Sequence, residues 1–120
     1  MKAALQKRQA MMVRPRVTIG ESIAIGPGKI DLLRHVAESR SISAAARTMG
    51  LTYKRAWLLI DSLNRGFGKP VLEAAVGGKG GGGARLTPLG EALVARYGEL
   101  EAKLNETSQA ELDALRGLAD

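Results

Sequence analysis

The sequence predicts a mainly α fold with small β-hairpins, on three observations. Ile42 to Leu63, ISAAARTMGLTYKRAWLLIDSL, has the spacing of two helices joined by a tight glycine turn. Gly77 to Gly83, GGKGGGG, lies between two short β-prone runs and reads as the tip of a hairpin. Leu89, Leu93, Tyr97, Leu100 and Leu104 then recur at helical spacing. Together these make a winged helix-turn-helix with a long C-terminal dimerisation helix. The expected organisation is an N-terminal arm over 1–12 and a DNA-binding domain over 13–87. Within that domain a first hairpin falls at about 14–25 and the wing at about 71–86. The dimerisation helix takes up 88–120.

Length and composition set the limits. A chain of 120 residues has room for one modest core, which Leu, Ile, Val and Ala must fill, since there is one Trp, one Phe and two Tyr. The absence of cysteine excludes disulfides, thiolate zinc sites and cysteine nucleophiles. The longest apolar run, Ala56 to Ile60, is far short of the ~18 residues of a membrane span. The basic N-terminus lacks the apolar stretch of a secretory signal, so a cytoplasmic location is expected, away from any membrane. Charge is uneven. Residues 1–70 hold thirteen Lys and Arg against four Asp and Glu, while 71–120 hold five against eight. The first part suits a polyanion partner.

The elements follow in order. Arg14 to Ile25 reads as a hairpin, with RPRVTI and SIAI around Gly20-Glu21-Ser22, and Gly26-Pro27-Gly28 stops the second strand. A helix is expected from about Lys29 to Glu38, with Ile30, Leu33, Val36 and Ala37 on its buried face and His35 solvated opposite. Ser43 is positioned to cap the next short helix, Ala44 to Met49, which Gly50 ends. The third helix runs from about Thr52 to Arg65, broken by Gly66 and Gly68. Val71 to Val76 and Ala84 to Leu86 are the wing strands. Thr87-Pro88 starts the last helix, a capping hydroxyl before a proline at the first helical position, and this helix is expected to continue to about Leu115.

A helix-turn-helix needs a small residue in its first helix, a glycine in the turn and apolar residues where the helices cross. Ala46 and Gly50 fill the first two needs, and Ala45, Met49, Leu51, Ala56 and Leu59 the third. In the third helix Ala56, Leu59, Ile60 and Leu63 share the buried side, with Tyr53 and Trp57 at its margin. Lys54 and Arg55 in the first turn face away from the core, where a recognition helix meets base edges or phosphates. Asp61 marks where the helix leaves the groove. Gly78 to Gly83 satisfies G-x-G-x-x-G, but a dinucleotide site requires that motif to open a helix, and here a strand and then Pro88 follow. A hairpin tip carrying Lys79, with Arg85 at its base, suits phosphate contact instead. The last helix's stripe of Leu93, Tyr97, Leu100 and Leu104 is the expected dimer face, and two-fold proteins suit palindromic half-sites.

SISAAARTMGLTYKRAW and GGKGGGGARLTPLGEAL closely resemble the N-terminal winged-helix domain of the ModE family of molybdate-dependent transcriptional regulators, and more distantly the LysR-type DNA-binding domain. The resemblance covers roughly Gly28 to Arg96. It implies a dimeric regulator of duplex DNA, with Thr52, Tyr53, Lys54 and Arg55 at the DNA, Lys79 and Arg85 in the wing, and Ser43 within the shared Ser41-Ile42-Ser43 motif. Members of that family continue into a molybdate-binding region of small β-barrel modules. The roughly 33 residues from Pro88 are too few for one. Direct molybdate binding is therefore not expected, and neither is any cofactor or metal. A single histidine, no cysteine and no converging carboxylates argue against an enzyme. The alternative is a protein-interaction module on the same scaffold, which salt dependence separates from DNA binding.

Overall fold

The computed structural model describes residues 12–75 and 83–119. Residues 1–11, most of the expected arm, and the wing tip with Lys79 lie outside them. Strands β1 (Val17–Ile19) and β2 (Ile23–Ile25) pair antiparallel with Val17 opposite Ile25, turning at Gly20. The hairpin is shorter than expected because Arg14, Pro15 and Arg16 do not join the ladder. Pro15 has no N–H to give, and its carbonyl instead accepts the Tyr97 hydroxyl at 2.6 Å.

Helix α1 (Pro27–Ser39) begins with Pro27 in its first turn and ends at Arg40, the one described non-glycine residue with positive φ (57°). It lies against α2 (Ile42–Thr48), α3 (Tyr53–Phe67), α4 (Pro88–Thr107) and strand β4 (Gly83–Leu86). Packing from several sides widens its buried arc. Leu32 is fully buried along with Ile30, Leu33 and Val36, whereas Ala37, expected inside, is exposed. His35 is half-buried for the same reason. Each large aliphatic side chain so enclosed contributes about 1.5–3 kcal/mol of transfer free energy.

Helix α2 starts two residues earlier than the Ser43 cap implies. Ser41, extended and buried, takes the cap, its Oγ accepting the Ala44 N–H at 3.1 Å, and Ser43 lies exposed inside the helix. The turn into α3 passes through Gly50 at φ 69°, and the Leu51 N–H donates to the Ala46 carbonyl at 2.8 Å. Thr52 caps α3, its Oγ1 accepting the Arg55 N–H at 3.0 Å. Gly66 does not break this helix. A Cβ there would stand 3.1 Å from the Ser22 carbonyl, so glycine lets the β1–β2 hairpin press onto α3, which runs on to Phe67 and ends at Gly68.

β3 (Leu72–Ala75) pairs antiparallel with β4, Leu72 opposite Leu86. The Ala84 N–H donates to the Arg40 carbonyl at 3.0 Å, which fastens the wing stem to the end of α1. Thr87 caps α4 as expected. The single last helix is two: α4 stops at Thr107, and α5 covers Gln109–Ala119. At the break the Ser108 hydroxyl bonds back to the Leu104 carbonyl and Thr107 Oγ1 to the Lys103 carbonyl, side-chain bonds that compete with the helical ladder.

Candidate nucleic-acid interface

The two helices of the helix-turn-helix meet through Ala45, Ala46 and Ala56, all buried, so their backbones approach closely and fix the angle at which α3 leaves the body. Ile60 and Leu63 hold the rest of α3 to the core. The first turn, by contrast, projects into solvent. Thr52, Tyr53, Lys54 and Arg55 are all exposed. Neither the Lys54 ammonium nor the Arg55 guanidinium has a hydrogen-bonding or ion-pair partner among the described residues. Asp61, further along, is matched by Arg65 at 3.0 Å.

The other expected site residues divide. Ser43 is exposed near the start of α2, and Arg47, in the last turn of that helix, is exposed too. Arg85 sits directly opposite Glu73 in the wing ladder, and its Nε donates to that carboxylate at 2.8 Å. It is thus an anchored, partly neutralised cation at the base of the wing. Lys79 lies outside the described residues.

Sequence reasoning missed a cluster beside Arg55. Lys29, in the first turn of α1, donates from Nζ to the Ala24 carbonyl at 2.8 Å and to Ser62 Oγ of α3 at 3.1 Å. Burial, and then the nearby charges of Arg16 and Arg55, push its pKa below the ordinary lysine value. Arg16 runs alongside Gly26, the residue before α1, where the first helical turn carries no acidic side chain. Three cations thus converge with the amide-rich start of α1, a setting that favours an anion. They are 13 and 26 residues apart in the chain, so no local pattern announces them.

At the other end cations are paired. Arg14 reaches Asp31 at 2.6 Å and Glu101 at 3.5 Å, and Arg34 reaches Glu101 at 2.8 Å. The hydrogen bond that Arg14 donates to Asp31 raises the Arg14 pKa further. Among the described residues no group of three or more His, Cys, Asp and Glu is placed to hold a metal ion. No described helix is long and apolar enough to cross a membrane.

The four residues expected at a dimer face differ in their surroundings. Tyr97 turns inward: it is 4% exposed and its hydroxyl is spent on the Pro15 carbonyl. Leu104 is half-buried. Leu93, Tyr97 and Leu100 all line an apolar groove of about 310 Å³ between the β1–β2 hairpin and α4, with Phe67 in its wall and Ile19 on its rim. Ile19 and Leu100 are 49% and 37% exposed.

Residues 28–91, from the start of α1 through the helix-turn-helix and wing to the first turn of α4, match the bacterial regulatory helix-turn-helix proteins, lysR family. The chain belongs to that family. Similar proteins include the molybdenum-pterin-binding protein MopB of Rhodobacter capsulatus, 45% identical over 103 residues, which are 79% of this chain and 38% of MopB. The DNA-binding transcriptional dual regulator ModE of Escherichia coli K12 is 46% identical over 71 residues, 59% of this chain and 27% of ModE. The molybdenum transport protein ModE of Herbaspirillum seropedicae is 41% identical over 93 residues, 72% of this chain and 35% of that protein. The resemblance to the ModE family drawn from the sequence therefore holds, and the chain covers well under half the length of these relatives. At family level this LysR-type unit is a DNA-binding regulator domain, not an enzyme.

Proposed function

We propose that this chain is a sequence-specific, homodimeric regulator of transcription that binds duplex DNA and acts on molybdenum-related genes. The observation that carries the proposal is the first turn of α3. A helix-turn-helix holds it clear of the body, and it presents Lys54 and Arg55 with no carboxylate among the described residues to satisfy them. Lys54 and Arg55 meet base edges or phosphates, with Thr52, Tyr53 and Ser43 beside them. Lys79 and Arg85 meet backbone phosphates at the wing, and Arg16 and Lys29 add a phosphate contact next to Arg55. The molybdenum connection rests on the names of the relatives. Molybdate binding by these 120 residues is no part of the proposal.

The apolar groove supports the dimer. Leu93, Leu100 and Ile19 offer a second copy an apolar surface that water covers poorly.

A titration of the full chain against labelled duplex, selected from fragments of the host genome, tests the reading. A dimer neutralising about eight phosphates loses roughly ten-thousand-fold in affinity between 50 and 200 mM salt. No binding at low salt, or binding that salt leaves unchanged, sinks it and points to an interaction module on the same scaffold.

A further inference from the structure

Eight large apolar side chains stand well exposed among the described residues, and three of them share the first two turns of α3. Tyr53, Trp57 and Leu58 are 54%, 47% and 41% exposed. Ile19 and Leu100 have the groove to account for them, but nothing among the described residues covers these three. Along the helix they form two rows at i, i+4 spacing: Tyr53 with Trp57, and Lys54 with Leu58. Leu58 is two residues from both Ala56 and Ile60, which are buried, so it stands on the arc turned away from the core.

A cationic first turn followed by an apolar second turn suits one kind of surface. The rim of a DNA major groove is phosphate, and its floor carries one apolar feature in ordinary DNA, the C5-methyl of thymine. An acidic protein surface would satisfy Lys54 and Arg55 but leave Trp57 and Leu58 in contact with charge. We propose that Leu58, flanked by Trp57, reads thymine methyls in the major groove and so determines part of the target sequence. The inference rests on the DNA-binding reading and deepens it.

The test uses the full chain and the duplex it enriches from a random pool. Each thymine is replaced in turn by deoxyuridine, which removes the methyl and keeps every hydrogen bond. One buried methyl is equivalent to about a four-fold change in affinity. The expected result is a four-fold weakening at one or two neighbouring positions. That loss falls below 1.5-fold in Leu58→Ala, while Lys54→Ala weakens the thymine and uracil duplexes alike. Both substituted positions are exposed, and unchanged urea midpoints confirm that the variants fold. The proposal is overturned if no uracil substitution weakens binding two-fold, or if the thymine preference survives undiminished in both Leu58→Ala and Trp57→Ala. Failure to enrich any duplex is a different result: it removes the DNA-binding reading, and this inference with it.

Discussion

Thr87 holds the wing, the end of α3 and the last helix in one arrangement, and Thr87→Val tests how much that matters. The valine keeps the shape and removes the hydroxyl. In the native chain Oγ1 accepts the Gly90 N–H at 3.1 Å, capping α4, and donates to the Pro70 carbonyl at 2.8 Å. The Thr87 N–H separately donates to the Val71 carbonyl at 3.0 Å and is untouched by the change. Loss of an N-cap costs about 1 kcal/mol. Thr87 is buried, but Pro70 is exposed, so water can partly replace the donor to its carbonyl, and the low end of the usual penalty, about 1 kcal/mol, applies. The sum is about 2 kcal/mol. An unfolding entropy of about 2.1 cal/mol/K per residue over this chain lowers the thermal midpoint by roughly 8 °C. Thr87→Ser retains both bonds and loses only a methyl, so it should cost under half as much. Thermal and urea unfolding followed by circular dichroism measure both variants. Equal losses for valine and serine would show that the hydroxyl's two bonds contribute nothing net, and would refute the reasoning.

Three further outcomes follow from the same geometry. A Cβ on Gly90 would stand 2.2 Å from the Val71 carbonyl oxygen, so Gly90→Ala should lower stability by about 1–3 kcal/mol in urea despite alanine's better helix propensity. The Lys29 pKa is lowered in the folded chain, chiefly by burial and then by Arg16 and Arg55, so the unfolded chain binds more protons between that lowered value and the ordinary 10.5. Stability therefore rises with pH through this window and is lost again as pH falls through the folded value; against Lys29→Met, the wild type should gain in urea midpoint from pH 8 to pH 10.5, and a constant difference counts against the cluster. Leu100→Lys places a charge on the rim of the apolar groove and should shift light scattering at micromolar concentration from dimer to monomer; an unchanged dimer removes the groove from the interface.

What the sequence discloses here is local chemistry. Gly50 in the turn, the cap Thr87 and the glycine-flanked wing strands each depend on a few adjacent residues, and each stands where the pattern puts it. The Ser41-Ile42-Ser43 motif shows the limit. Either serine can cap, and the choice falls to Ser41 because Arg40 adopts a left-handed conformation that leaves the next residue extended. An arginine at that position gives no warning, since glycine is the residue that usually signals it. Tyr97 shares the leucine period of α4, yet its hydroxyl is claimed by Pro15, 82 residues away. The meeting of Arg16, Lys29 and Arg55 is equally non-local. Periodicity identifies a face, but only the tertiary fold decides what covers it.

Among the described residues Arg14 and Arg34 are paired while Lys54 and Arg55 are not, which has a consequence for how the chain meets a polyanion. Arg14, Arg34, Asp31 and Glu101 form a connected network whose members are partly exposed, and exposed ion pairs of this kind add little to stability. Their effect is on the field. They cancel two of the cations of the basic half on the side facing α4, and residues 88–119 add five carboxylates besides Glu101, against three cations. Lys54, Arg55, Arg16 and Lys29 meanwhile keep their charge beside α3, without carboxylate partners among the described residues. Among the described residues, charge is thus polarised from α3 toward the C-terminal helices. Such a charge distribution turns the α3 end toward phosphates during diffusional approach and the acidic end away. On the proposed reading it favours the encounter in which Lys54 and Leu58 arrive first at the major groove, before any base is read.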